Sequence, residues 1–315
     1  MGQTPLYVVT AAAGGGVGGV ARTVVQMLLE GGQRVRATVH REDERSRQLR
    51  ELGAEVIAGD LTDPGHAAEV LDGSNRVFFS MGVSERYLEA TTVWALAARS
   101  SPGVEVVVNM SQMTVSQMTA TSTAESRQQR LHFLAEHVLD WSGVPVVHMR
   151  PTVFLENPLF NEIVAPGLRE RGVLALPFGT GRTSPVAADD VAASVTAVLL
   201  APSTHTGPVY ELTGPRSMAL PQLADAFGRG LEQPVAAEPL TLEAWAAQLE
   251  AVGLDAHVQQ HLATMARLHR ENRYDRCTDE VQTLTGRPAT PVDVWVRRHR
   301  DEFQSDPQAP RQVPN

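Results

Sequence analysis

Tyr7-Val8-Val9-Thr10-Ala11-Ala12-Ala13-Gly14-Gly15-Gly16-Val17-Gly18-Gly19-Val20-Ala21 is the stretch that decides the fold. A short apolar run suits a buried parallel strand. It ends in glycines, and a helical period follows at once in Val24, Val25, Leu28 and Leu29. Strand, glycine turn and helix together are the context in which such glycines serve a dinucleotide. Missing side chains admit a pyrophosphate to the backbone amides, and the helix N-terminus faces it with partial positive charge. The spacing departs from the usual fingerprint: Gly15, Gly18 and Ala21 fit one reading, while Gly14 or Gly15 opens and Gly18 or Gly19 closes another. A merely flexible loop is the bland alternative, and the rest of the chain decides between them.

Outward from this turn, strands and helices alternate. Arg34 to His40 reads as a second strand, Glu55 to Ala58 as a third, Val77 to Ser80 as a fourth, Val104 to Val108 as a fifth and Val144 to Met149 as a sixth. Helices are expected between them, at Arg41 to Leu52, after Asp63-Pro64, at Tyr87 to Ser100 and at Ser126 to Trp141. The pattern implies an α/β fold, a Rossmann-type doubly wound parallel sheet, with ligands beyond the carboxyl ends of the strands. The candidate cofactor residues sit at those ends: Gly14, Gly15, Gly16, Val17 and Gly18; His40 and Arg41; Asp60 and Leu61; Ser80, Met81 and Gly82; Met110; and Pro151, Val153 and Phe154. The second strand runs into cations where an NAD site usually has an acid on the ribose, so NADP(H) is the expected cofactor, with NAD(H) possible. Arg41 equally suits the solvated start of a helix, and Asp60 either an adenine amino group or a cap. Asp189 or Asp190 is expected to cap a helix running to Leu200, and Val209 to Leu212 to form a short strand. The remainder reads as helices at Leu220 to Leu231, Leu242 to Val252, His257 to Asn272 and Pro291 to Phe303. The division expected is a dinucleotide-binding domain over 1–155, with 183–205 packing back onto it, and a smaller, mostly helical substrate lobe over 156–315.

Composition narrows the functions. The 315 residues are 43% hydrophobic and 20% charged, with net charge −9. No basic stripe interleaves with aromatics, which argues against nucleic acid as a partner. Cys277 is the sole cysteine, which fits a reducing cytoplasm, and no apolar run reaches a membrane span of about 18 residues. All 27 basic residues are arginine. Schiff-base chemistry and a lysine base are therefore excluded. A G+C-rich gene accounts for the bias.

The chain resembles the NmrA-like atypical short-chain dehydrogenase/reductases, including NAD(P)H:quinone oxidoreductase-like members. The resemblance rests on the glycine turn, Val35 to Arg41, Gly59 to Pro64, Ser142 to Pro145, Arg150-Pro151 with Phe154 to Asn157, Tyr210 to Pro215 and Leu284 to Pro288. It implies a nicotinamide cofactor and a C-terminal substrate lobe, and leaves open a non-enzymatic redox sensor. Short-chain reductases commonly carry Tyr-x-x-x-Lys on the helix after strand five. With Glu136 aligned to the acid that follows that lysine in extended members, His132 takes the lysine position and Gln128 the tyrosine position. Gln128, His132 and Glu136 share one helix face. The spacing of His132, Glu136 and His137 is not that of a zinc helix, so no metal is expected.

The expected catalytic residues are Ser111 and Gln112, donating to an acceptor oxygen, and His132, orienting the nicotinamide ribose. Met113 and Met118, in a loop from Met113 to Glu125, with Gln128 and Asn157, are the candidate substrate contacts. Without Tyr and Lys to protonate an alkoxide, the expected substrate is a quinone-type or polycyclic aromatic acceptor, such as a hydroxyanthraquinone-like polyketide of antibiotic biosynthesis.

Overall fold

In a computed structural model, residues 4–14, 19–157, 163–205 and 209–303 are described. Six strands follow the expected order: β1 Leu6–Val9, β2 Arg34–Val39, β3 Glu55–Ala58, β4 Arg76–Phe79, β5 Val106–Met110 and β6 Val146–Pro151. Between them lie α1 Val20–Glu30, α2 Glu44–Glu51, α3 Pro64–Leu71, α4 Tyr87–Ser100 and α5 Arg127–Ser142. The chain continues through α6 Ala165–Arg171, β7 Val173–Leu176, β8 Arg182–Thr183, α7 Ala188–Leu200, β9 Val209–Leu212, β10 Met218–Ala219 and α8 Leu220–Leu231. It closes with β11 Ala236–Pro239, α9 Leu242–Val252, α10 Ala256–Arg270, α11 Glu280–Thr285 and α12 Val292–Arg298.

The main sheet has seven parallel strands in the order β3-β2-β1-β4-β5-β6-β9. The order reverses between β1 and β4, which opens a crevice at the carboxyl ends of those strands. Alternate side chains feed two cores. Tyr7, Val9, Phe78, Val106 and Val108 pack with α1 and α7, while Val8, Val77, Phe79 and Val107 pack with α3, α4 and α5. Continuous apolar runs are what a sheet covered on both faces needs. At about 1.5–3 kcal/mol per fully buried large side chain, Val24, Val25 and Leu28 bind α1 to the sheet more firmly than helix propensity would.

A third core, around Leu176, Phe178, Phe227, Trp245, Leu262, Met265, Trp295 and Phe303, belongs to the lobe. There β7 pairs with β11 and β8 with β10.

Three expectations change. β9, expected within the stretch given to the lobe, is the seventh strand of the main sheet, paired with β6 from His148↔Val209 to Pro151↔Leu212, while Ala165, Leu168, Leu176 and Phe178 before it pack in the lobe core. α2 starts at Glu44, not Arg41, because Asp43 accepts from the amides of Arg45 and Ser46 while Ser46 Oγ accepts from Asp43 N. Arg41 therefore lies in the β2–α2 connection. Neither Asp189 nor Asp190 caps α7. Its first amide, on Ala188, donates to Glu156 at 2.9 Å, and fully buried Asp190 pairs with Arg287 at 2.9 Å and accepts from Thr290 N at 2.6 Å.

Asp190→Ala leaves the buried Thr290 amide unpaired, and should cost about 1–3 kcal/mol of unfolding free energy. Asp190→Asn, which keeps an acceptor, should cost less. Urea unfolding of both variants checks this; equal losses would contradict it.

Candidate functional site

The crevice begins where β1 ends. Thr10 Oγ1 donates to Ser80 O at 2.6 Å and accepts from Ser80 N at 2.8 Å, locking the tips of β1 and β4 together. The chain then enters the glycine turn with Gly14 at φ +76° and leaves it with Gly19 at φ +60°. Both angles suit glycine. Gly15, Gly16, Val17 and Gly18 lie outside the described residues. α1 has no side-chain cap and no acidic residue in its first turn. Among the described residues no side chain occupies its N-terminal amides, and a helix end of this kind suits an anion.

His40 and Arg41 are exposed at the end of β2, with no hydrogen bond or ion pair among the described residues. The acids that follow are engaged: Glu42 pairs with Arg50, and Asp43 caps α2 while pairing with Arg45 at 2.7 Å. Arg45 also donates to Gly14 O at 3.1 Å, adding a cation that the sequence reading missed. Asp60 is engaged too. Its Oδ1 accepts from Thr62 N at 2.9 Å and Oδ2 pairs with Arg86 at 2.9 Å. The Thr62 bonds, with Arg86 behind them, hold its carboxyl down at about 2. Gly59 before it has a packing role, since a Cβ there would lie 2.3 Å from His66 Nδ1. Leu61, whose carbonyl accepts from Trp94 at 3.0 Å, and Met81 both pack against the core shared with α3, α4 and α5, and Gly82 is exposed beyond β4.

Beyond β5 stand Ser111, whose amide donates to Met149 O at 2.7 Å, and Gln112. Ser111 Oγ and Gln112 Nε2 are buried without a partner among the described residues, and so is His132 Nδ1 on α5. The His132 ring lies 4.1 Å from that of Tyr87, whose hydroxyl donates to Met110 O at 2.7 Å. One phenol therefore joins His132 to the end of β5. Sequence reasoning passed over Tyr87 because it sits on α4, not α5. Burial pushes its pKa far up, and its proton is held by Met110 O.

His132 is neutral. Burial, with the charge of nearby His261, takes its pKa down to about 3. Glu136, one turn further, is spent on Arg150, with Arg150 Nε 2.9 Å from its Oε1. His137 turns to the Phe133 carbonyl at 2.9 Å.

The first turn of α5 is gripped by the lobe. Ser126 Oγ meets His261 Nδ1 at 2.7 Å and Arg127 N donates to Gln260 at 3.1 Å. Gln128 Oε1 accepts from His257 Nε2 at 2.9 Å, and Gln129 Nε2 donates to Thr114 at 3.0 Å and to Tyr274 at 3.3 Å. The loop before it is equally tied. Met113–Gln117 is a short 3-10 helix; Gln117 donates to Arg273 O at 2.9 Å and Glu125 pairs with Arg273 at 2.8 Å.

The expected substrate contacts are redistributed. Met113 is 1% exposed and packs in the lobe core. Met118 borders a cavity of about 540 Å³ with Phe133, His137 and Trp141, on the face of α5 opposite His132. Gln128 is 1% exposed with both amide atoms bonded, so it supports the site from behind. Asn157 N donates to Phe154 O at 3.2 Å, at the edge of the described residues. Of the β6 group, Val153 is core, Pro151 ends the strand and Phe154 bridges to Val186.

Sheet order, crevice and lobe define a Rossmann-type doubly wound protein with a C-terminal lobe. Within that class the chain belongs to the NmrA-like family, which matches residues 9–303. It is 29% identical over 289 residues to the (4-alkanoyl-5-oxo-2,5-dihydrofuran-3-yl)methyl phosphate reductase of Streptomyces griseus subsp. griseus, covering 92% of this chain and 97% of the relative. It is 25% identical over 292 residues, with the same coverages, to the NAD(P)H azoreductase of Xenophilus azovorans. Among solved structures it is similar to the NADPH-dependent quinone oxidoreductase of Escherichia coli complexed with NADPH. The TM-score is 0.80 at 22% identity, covering 94% of this chain and 99% of that one.

Burial also takes His261 to about 4 and His269 to about 3. With His132, that makes three histidines folded as neutral bases, each below an ordinary value of 6.5. The unfolded chain binds more protons between those values, so stability is full above about pH 6.5 and falls as pH drops. At pH 5.5 each should have lost about 1 kcal/mol relative to pH 7.5. Urea midpoints at the two pH values measure it; equal midpoints would contradict the assignment.

Proposed function

We propose that this protein is an NAD(P)H-dependent reductase acting on a conjugated, quinone-type acceptor. The observation that carries the reading is that, among the buried side-chain atoms with no partner among the described residues, Ser111 Oγ and Gln112 Nε2 follow β5 directly and His132 Nδ1 belongs to a ring packed against Tyr87, whose hydroxyl bonds the last carbonyl of β5. Buried polar atoms are normally satisfied, so three left open beside a crevice point to a ligand that satisfies them.

The residues fit a nicotinamide dinucleotide. The uncapped N-terminus of α1 suits its pyrophosphate, and unpaired His40 and Arg41 suit a 2′-phosphate, favouring NADP(H) over NAD(H). When bound, the reduced nicotinamide supplies a hydride. His132 would hold the cofactor through a hydrogen bond from Nδ1 to a ribose hydroxyl, with Ser111 and Gln112 left to meet the acceptor. Those two donate to the acceptor oxygen, where negative charge develops.

A strong proton donor is missing from this account. His132 is uncharged at neutral pH, and the Tyr87 phenol is committed to Met110 O. An isolated ketone would develop an alkoxide with little support. A quinone spreads the charge over its ring, and the net change consumes one quinone, one NADPH and one proton to give hydroquinone and NADP⁺. The names of the two relatives point the same way: azo and acyl-oxo-dihydrofuran groups are also conjugated systems. A hydroxyanthraquinone-like polyketide is the particular acceptor we put forward.

NADPH oxidation should proceed with hydroxyanthraquinones and naphthoquinones at least about 10-fold faster than with aliphatic ketones, and Ser111→Ala should slow it about 10–100-fold. Arg41→Ala should weaken NADPH about tenfold while sparing NADH. Equal rates with aliphatic ketones would contradict the quinone assignment. Tight cofactor binding without turnover of any acceptor, with oxidised and reduced forms bound differently, would favour a redox sensor instead.

A further inference from the structure

The tautomer of His132 is readable from its neighbours. Gln128 is placed unambiguously because one partner is a backbone amide: Ser84 N donates to Gln128 Oε1 at 3.1 Å. A backbone N–H donates and never accepts, so the oxygen of the amide must face Ser84. The same oxygen receives His257 Nε2 at 2.9 Å, which reinforces that orientation from the lobe. Gln128 Nε2 is thereby turned towards His132 Nε2, 3.2 Å away. An amide NH₂ can only donate, so His132 Nε2 must be the bare, accepting nitrogen. A neutral imidazole carries its single proton on the other nitrogen. That nitrogen, Nδ1, is buried and has no partner among the described residues.

We propose that Gln128 is a positioning residue that holds His132 in the Nδ1–H tautomer, so that a fixed N–H donor points to the cofactor and substrate space. Lysine at this position would offer a charged donor that needs no orientation. A neutral histidine offers either a donor or an acceptor, and its tautomer decides which. Gln128 removes the choice without adding charge. The three groups around it come from separate parts of the fold: Ser84 from the β4–α4 connection, His132 from α5 and His257 from α10. Gln128 is 1% exposed, so water does not compete for its amide. The role of the donor in hydride transfer rests on the reductase reading; the tautomer itself does not.

The experiment is ¹⁵N spectroscopy of the full-length protein with labelled histidine, His132 being assigned by the signal lost in His132→Gln. The wild type should show His132 protonated at Nδ1 and bare at Nε2. In Gln128→Glu the carboxylate still accepts from Ser84 and His257 but can only accept from His132, so Nε2 should become protonated. Gln128→Met removes the donor altogether and should lower the single-turnover rate of NADPH oxidation about tenfold. Thermal unfolding of each variant separates lost stability from a changed tautomer. A wild-type His132 protonated at Nε2, or a bare Nε2 in Gln128→Glu, would overturn the proposal whatever the activity. A correct tautomer shift in a protein that turns over no acceptor would leave the positioning role standing and overturn the reductase reading.

Discussion

The first turn of α5 and its burial under α10 is the constraint on which the site depends. Ser126, Arg127, Gln128 and Gln129 are consecutive, and each bonds to a residue beyond 250 in the chain. Ser126, Gln128 and Gln129 are buried, as are His257, His261 and Tyr274 opposite. In such surroundings every bond is strengthened and every missing bond is expensive. The lobe is therefore joined to the sheet domain by polar specificity at this point, while apolar packing supplies the bulk of each core. His132 lies one turn further along the same helix and inherits its place from that junction.

Under the proposed reading, this arrangement is how a chain without lysine keeps a donor on α5. The usual tyrosine and lysine make a charged pair that supplies a proton. Here the same helix face carries an amide, a neutral imidazole and a carboxylate paired with Arg150. The amide and the imidazole orient, and the paired carboxylate holds α5 against β6. Under the proposed reading, this lack of a charged proton donor is the physical reason for preferring delocalised acceptors.

Much of the architecture was legible in the sequence, because apolar runs of strand length alternating with helical periods specify a covered parallel sheet. β9 matched residue for residue, yet its place in the main sheet did not show, since four residues carry no record of which edge they join. The start of α2 was misread because Asp43 and Ser46 form a capping box inside a run of charges, where every residue looks solvated. At the candidate site, Ser111, Gln112 and His132 were named from their places at strand and helix positions, and their roles stand as proposals. Tyr87, Arg45 and His257 were missed. Each comes from a different element, and their approach to the crevice is set by tertiary packing that leaves no local signal. Met113 and Met118 were assigned to the pocket on composition alone, and the packing sends one into the lobe core and the other to the far face of α5.

The central claim is that the three open polar atoms beyond β5 await a nicotinamide ribose and an acceptor. A crystal structure of the complex with NADP⁺ tests it most directly. The account predicts the pyrophosphate over the N-terminus of α1 and a ribose hydroxyl about 2.7–3.2 Å from His132 Nδ1. A cofactor bound elsewhere, or a ribose out of hydrogen-bond reach of His132 with Ser111 and Gln112 still unpartnered, would contradict it.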